Sequence, residues 1–84
     1  MKRIRLTRHA KEQAAERGAI EAEVKEAVLK GARRPAKHGR EMCRFNFAFG
    51  GVWQGKRYSV KQVAPVITEK ANEIVVITVY TFYF

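Results

Sequence analysis

A single cysteine, Cys43, excludes an intramolecular disulfide and leaves any thiolate metal site without its other ligands. A lone thiol suits a reducing compartment, and a cytoplasmic location is the expectation. Long apolar runs are missing too. Nothing approaches the roughly 18 residues that cross a bilayer, so no membrane partner is expected. The opening Met1, Lys2 and Arg3 imitate the charged start of a secretory signal, but no apolar stretch follows them. Carboxylates are few, eight against seventeen Lys and Arg, and only Glu41, Glu69 and Glu73 lie outside helix-like text. A mechanism built on paired carboxylates has little to draw on. There is no phosphate-cradling glycine loop and no cluster spaced for metal ligation, so neither a metal nor a cofactor is expected.

What the chain has instead is positive charge, a net +9 over 84 residues with a pI near 10.2. Such an excess concentrates polyanions near the surface and speeds their arrival. RNA is the expected partner. An acidic protein satisfies the same electrostatics, and solubility alone is the plain alternative. Residues 1–40 carry +7 of the net charge, which places the excess on the N-terminal half. The length suits one domain, 1–84, that buries about 60–65% of its unfolded surface.

Aromatic residues are absent from the first 44 positions, and all nine fall between Phe45 and Phe84. Helix formers come first and β-branched and aromatic residues second, the order of an α+β domain. The expected architecture is a short N-terminal strand, two helices, then an antiparallel sheet of three to four strands. Arg3 to Leu6 alternates and suits a short edge strand. Thr7 caps a helix over 8–17 that Gly18 stops, with Ala10 and Ala14 inward. A second helix over 21–30 turns Val24, Ala27 and Val28 inward, and Glu21–Lys25 and Glu26–Lys30 support it at four-residue spacing. Residues 31–41 read as a basic connection. Cys43, Phe45, Phe47 and Phe49 alternate with Arg44, Asn46 and Ala48, a strand with one aromatic face. Gly50-Gly51 is expected to turn the chain, with a second turn around Gln54-Gly55-Lys56. A strand over 57–63 is then stopped or bent by Pro65. After a polar turn at 69–72, Ile74 to Phe82 is apolar on both faces and belongs in the sheet's interior.

Three blocks of this sequence resemble the domain of unknown function 4258 family. The first is His9-Ala10 followed by Gln13, Arg17-Gly18 and a second helix. The second joins Arg44-Phe45-Asn46-Phe47 to Val60-Lys61-Gln62-Val63-Ala64-Pro65. The third is Val76-Ile77-Thr78-Val79-Tyr80 with Phe82-Tyr83-Phe84. The resemblance spans about Ile4 to Phe84. Ala19 stands where the family usually has Ile, Ile20 where a capping Ser is common, and Gln13 where many relatives have Arg. The resemblance implies a fold like that of the RelE and barnase-like group of small metal-independent ribonucleases, often found in toxin contexts. It also implies an acidic antitoxin protein as a second kind of partner.

Cleaving RNA without a metal needs a base for the 2′-OH proton, an acid for the leaving oxygen and cations for the phosphorane. His9 suits proton transfer, because imidazole titrates near neutrality. Gln13 and Arg17 follow it at four-residue intervals and share its helix face. Lys61 interrupts an apolar strand, with Arg57 and Val63 on its side, and is a candidate phosphate cation. Thr78 and Tyr80 interrupt the last strand on one face, expected together with Ile74, Val76 and Phe82, and are candidates for orienting a phosphate. The candidate catalytic set is therefore His9, Lys61, Thr78 and Tyr80. Candidate substrate contacts are Arg17, Arg44, Asn46, Arg57 and Gln13. The loop holding Arg33, Arg34, Lys37, His38 and Arg40 reads as a sequence-blind phosphate patch. Trp53 and Tyr58 are candidates to stack on a base, with core packing the plainer role. Phe82, Tyr83 and Phe84 either cover the core or form a homodimer patch. Structural roles compete throughout: His9 tying helix to sheet, Arg17 stacked, Lys61 on an open face. The leading function is a small ribonuclease, and the alternative is a non-catalytic module binding RNA or an acidic protein.

Overall fold

The computed structural model describes residues 2–84 and is organised around one five-stranded sheet. In chain order the elements are β1 (Arg3–Leu6), α1 (Arg8–Glu16), α2 (Glu21–Lys30), β2 (Ala32–Pro35), β3 (Glu41–Trp53), β4 (Lys56–Glu69) and β5 (Glu73–Tyr83). The strand order is β1-β5-β4-β3-β2, with β1 parallel to β5 and every other pair antiparallel. The α+β order of a strand, two helices and then strands is as read from the sequence. The sheet differs in being mixed and having five strands. The parallel pair arises because two helices and a long hairpin separate β1 from β5, giving the chain room to cross over. The extra strand is β2, in the basic connection, where Ala32 to Pro35 zip along Glu41 to Arg44.

Local chemistry explains most boundaries. Thr7 Oγ1 accepts from Ala10 N at 3.1 Å and starts α1. α2 has no side-chain cap at Ile20; instead the Glu23 carboxylate accepts from Ile20 N at 3.1 Å. Gly18, at φ +80°, ends the first helix, and a Cβ there would lie 2.5 Å from Tyr83 Oη and 2.7 Å from the Trp53 ring. Gly18→Ala should therefore lower stability by about 2 kcal/mol, read as a shifted urea midpoint, through overpacking and a left-handed backbone.

Both helices cover one face of the sheet, α1 over β5 and α2 over β3 and β4. Ala10, Ala14, Val24, Ala27 and Val28 pack on Cys43, Val63, Ile67, Val76 and Val79. Each buried Val or Ile contributes about 1.5–3 kcal/mol relative to exposure. Among the described residues, no α-helix lies on the second face of the sheet.

Three strand features depart from the sequence reading. Gly50-Gly51 does not turn the chain; β3 runs through it with a register shift between Ala48 and Gly51. The turn is Gln54-Gly55, with φ of +50° and +80°, the two positive values a tight hairpin turn needs. Pro65 does not stop β4, since it pairs opposite Val79 and the β3 ladder simply skips Cys43 and Arg44 beside it. The third departure matters most. Val66 pairs with Thr78 but Ile67 with Val76, so Ile77 is an extra residue in β5. Such a bulge reverses the alternation beyond it. Ile74 and Val76 face the helices, while Thr78, Tyr80 and Phe82 turn to the uncovered face. The five were expected on one face. Thr7 Oγ1 donates to Ile77 O at 3.2 Å, so the residue that caps α1 also holds the bulge.

The sheet's flanks are held by ion pairs. Glu69 accepts from Lys2 at 2.8 Å and from Arg33 at 2.7 Å, and Glu73 accepts from Arg5 at 3.1 Å. Hydrogen bonds from Lys2 and then Arg33 hold the Glu69 carboxyl below the usual carboxylate range, and the bond from Arg5 does the same for Glu73. A lowered native value contributes stability above the unfolded-state pKa, and that contribution is lost as pH falls through the native one. Acidification should therefore release β1 and β2 first, seen as faster amide exchange there than in β4.

Candidate nucleic-acid site on the open sheet face

β1 pairs with β5 only as far as Val76, so beyond the bulge the outer edge of β5 has no neighbouring strand. Side chains of α1 occupy that edge. The Arg17 carbonyl, at the end of α1, accepts from Thr81 Oγ1 at 2.9 Å and Tyr83 Oη at 2.7 Å on the helix side. Its guanidinium crosses the edge, donates to Val79 O at 2.7 Å and sits 5.0 Å from the centre of the Tyr80 ring. Two turns earlier His9 is exposed, with Nε2 3.3 Å from Thr78 Oγ1. With Nε2 bare, the hydroxyl donates to it; with Nε2 protonated, the ring donates. Gln13, half-buried, lies between the two on the same helix stripe. The edge of β5 is thus where α1 delivers an imidazole and a guanidinium to the uncovered face.

Thr78 and Tyr80 also line a cleft of about 250 Å³ with Met42 and Val66 from the neighbouring strands. Its remaining lining is Ala36, Lys37, His38 and Arg40. These residues form a tight 3-10 turn closed by Ala36 N donating to Arg40 O at 2.8 Å. His38 has φ 63° and ψ 36°, the left-handed region that His tolerates better than most side chains. Thr78 is thus bonded to the His9 imidazole and shares the lining of a cleft with the His38 imidazole. From the sequence, His38 is one residue of a basic, sequence-blind phosphate patch and not part of a cleft. The available signal was the His38-Gly39 pair, which suits a tight left-handed turn.

Further along the same face, Arg44 donates to Gln62 Oε1 at 3.1 Å, and Gln62 Nε2 donates to Asn46 Oδ1 at 2.9 Å. The Arg44 guanidinium lies 5.4 Å from the centre of the Phe82 ring. Arg44 and Asn46 thus flank the exposed rings. Arg57 is elsewhere, paired with Val52 beside the hairpin turn.

Lys61 is placed apart from the other candidates. It faces the helices, 7% exposed, and its ammonium donates to Gly18 O at 2.9 Å and Glu23 Oε1 at 2.8 Å. An ammonium so engaged, on the opposite side of the sheet, does not meet a phosphate on the open face. Trp53 and Tyr58 are drawn inward as well: Trp53 stacks on Tyr83 at 5.0 Å and Tyr58 tilts against the same ring at 5.6 Å. Burial pushes the Tyr83 hydroxyl up, and burial likewise pushes up the Cys43 thiol. Of the terminal aromatics, Tyr83 covers the core while Phe82 and Phe84 stay exposed.

The charge distribution sharpens the picture. The cations of α2 are neutralised at home, Lys25 by Glu21 and Lys30 by Glu26. Among the described residues, Arg17, Arg34, Lys37, Arg40 and Arg44 make no ion pair. Arg8 and Lys11 on α1, Lys56 and Arg57 at the β3–β4 hairpin and Lys70 after β4 are likewise outside these ion pairs, so half of the ten unmatched cations lie on the bare sheet face and its bordering turn. No protein-family model matches this chain, and neither does any curated protein or solved structure.

Proposed function

We propose that the protein is a small metal-independent ribonuclease whose site is the cleft at Thr78 and Tyr80. The observation that carries this reading is His9 bonded to Thr78, a residue that also lines the cleft walled by His38, beside several unpaired cations. The chemistry balances with those groups alone. One imidazole takes the 2′-OH proton, the 2′-oxygen attacks phosphorus, the P–O5′ bond breaks and the other imidazole gives the 5′-oxygen its proton. A 2′,3′-cyclic phosphate and a 5′-hydroxyl result. In this reading Arg17, Lys37 and Arg40 supply the cations for the phosphorane charge, and Thr78 with Tyr80 orients the phosphate. Lys61 has no part in this site. The reading agrees with the resemblance to the domain of unknown function 4258 family, and an acidic antitoxin would find the same face attractive.

A binding module without turnover draws on the same unpaired cations and exposed rings. The two readings part in one experiment. Purified protein in excess EDTA is incubated with single-stranded RNA, and the product ends are analysed. Cyclic phosphate termini are expected; salt-sensitive binding with intact RNA across all substrates would mean that the module is non-catalytic.

A further inference from the structure

Tyr80 and Phe82 are 40% and 41% exposed, large apolar rings standing side by side on a face otherwise rich in guanidinium. Each has a guanidinium over one face of its ring, Arg17 at Tyr80 and Arg44 at Phe82, so a base would take the other face. Neither ring contributes to the core on the helix side. An arginine against an aromatic ring is a charged edge beside a stacking surface, the pairing that suits a base and its phosphate together. Residues two apart on a strand stand about 6.8 Å apart, whereas stacked bases in a duplex strand rise only about 3.4 Å. Successive bases of a duplex cannot each meet a ring here. Bases splayed from a single strand can.

We infer that the exposed ring row of β5, Tyr80 and Phe82 continued by Phe84, is a stacking track for unstacked bases of single-stranded nucleic acid. The track begins at the cleft and runs towards the hairpin end, with Arg17 and Arg44 holding the phosphates between bases. This deepens the ribonuclease reading by naming the form of the substrate, but the track stands or falls on binding alone. Charge complementarity decides the occupant: no carboxylate projects among the positions around the row, Met42, Arg44, Asn46, Gln62, Ala64, Val66, Tyr80 and Phe82, and Glu73, at the far end of β5 before the bulge, is already paired with Arg5.

The test uses a fluorescent 2′-O-methyl oligonucleotide of about ten nucleotides, which cannot be cleaved and falls within the span of one such platform. The intact protein should bind it at least tenfold more tightly than a duplex of the same sequence. Phe82→Ala should weaken binding about 5- to 150-fold, the range for losing one stacked base. Phe82→Trp should keep the affinity, and Phe82→Leu, apolar but without a π-face, should lose most of it. Equal affinity for duplex and single strand overturns the track, as does Phe82→Ala binding unchanged. Phe82-dependent binding of an acidic polypeptide in preference to the oligonucleotide would assign the row to a protein partner instead. Because the ligand is inert, binding without turnover of ordinary RNA leaves the track standing and removes the ribonuclease, while the reverse result removes only the track.

Discussion

His9→Ala is expected to lower cleavage of single-stranded RNA by about 10²–10⁴-fold, the usual contribution of a positioned acid or base. His9 is exposed and, among the described residues, its one side-chain hydrogen bond is to Thr78, so its removal should leave stability within about 0.5 kcal/mol. The loss would therefore be chemical. His38→Asn makes the companion test, because Asn also accepts the left-handed backbone of this turn while removing the titratable ring. If the two imidazoles divide the proton transfers, the wild-type rate should be bell-shaped in pH. A base must be free of its proton and an acid must carry one, so the rate rises to a maximum and then falls. Each single variant should lose one limb of the bell and the double variant both. Because the pair acts as a unit, the double variant should be little slower than the worse single one. A flat wild-type pH profile, or full activity in His9→Ala, would falsify the assignment.

The stripe of His9, Gln13 and Arg17 was legible in the sequence because helix spacing is local, and so was the cap at Thr7. The two α2 ends and the alternation of β3 were legible for the same reason. The bulge at Ile77 was not, because it depends on Thr7 Oγ1 arriving from seventy residues away to hold one carbonyl. Without the bulge, Thr78 and Tyr80 would share the face of Ile74 and Val76, which is where simple alternation puts them. Gly50-Gly51 misled because glycine also permits irregular strand, and Pro65 because a strand with ladders on both sides survives one missing donor. His38 was visible as a loop residue but not as a cleft residue. Its position follows from β2 pairing with β3, and the short basic text gave no strand signal.

Lys61 was misplaced for a different reason, and it yields the largest expected stability effect. Alternation put it beside Val63, which is correct, but the side of the strand was undetermined until the helices were in place. Burying an ammonium needs partners, and here they are the Gly18 carbonyl and the Glu23 carboxylate, which itself accepts from Ile20 N. One cation thus ties β4 to the start of α2 and to the link between the helices. Lys61→Met keeps the aliphatic bulk but leaves Glu23 charged beside an apolar side chain and Gly18 O without its donor. A loss of about 3 kcal/mol is expected, the lower end for breaking a buried pair, since Glu23 keeps some solvent. For a domain of this size that is a quarter or more of the total, at about 0.05–0.15 kcal/mol per residue. Urea unfolding followed by Trp53 fluorescence should show it, because Trp53 stacks on Tyr83 beside Gly18. Adding Glu23→Gln should recover part of the loss, since the amide oxygen can still accept from Ile20 N and no bare charge remains. That recovery, beyond additivity by about 1 kcal/mol, is the signature of a pair rather than of two independent residues. Well below its unfolding midpoint the Lys61→Met protein should cleave RNA at the wild-type rate. A folded variant that binds normally but has lost cleavage would instead return Lys61 to the chemistry and overturn its separation from the open face.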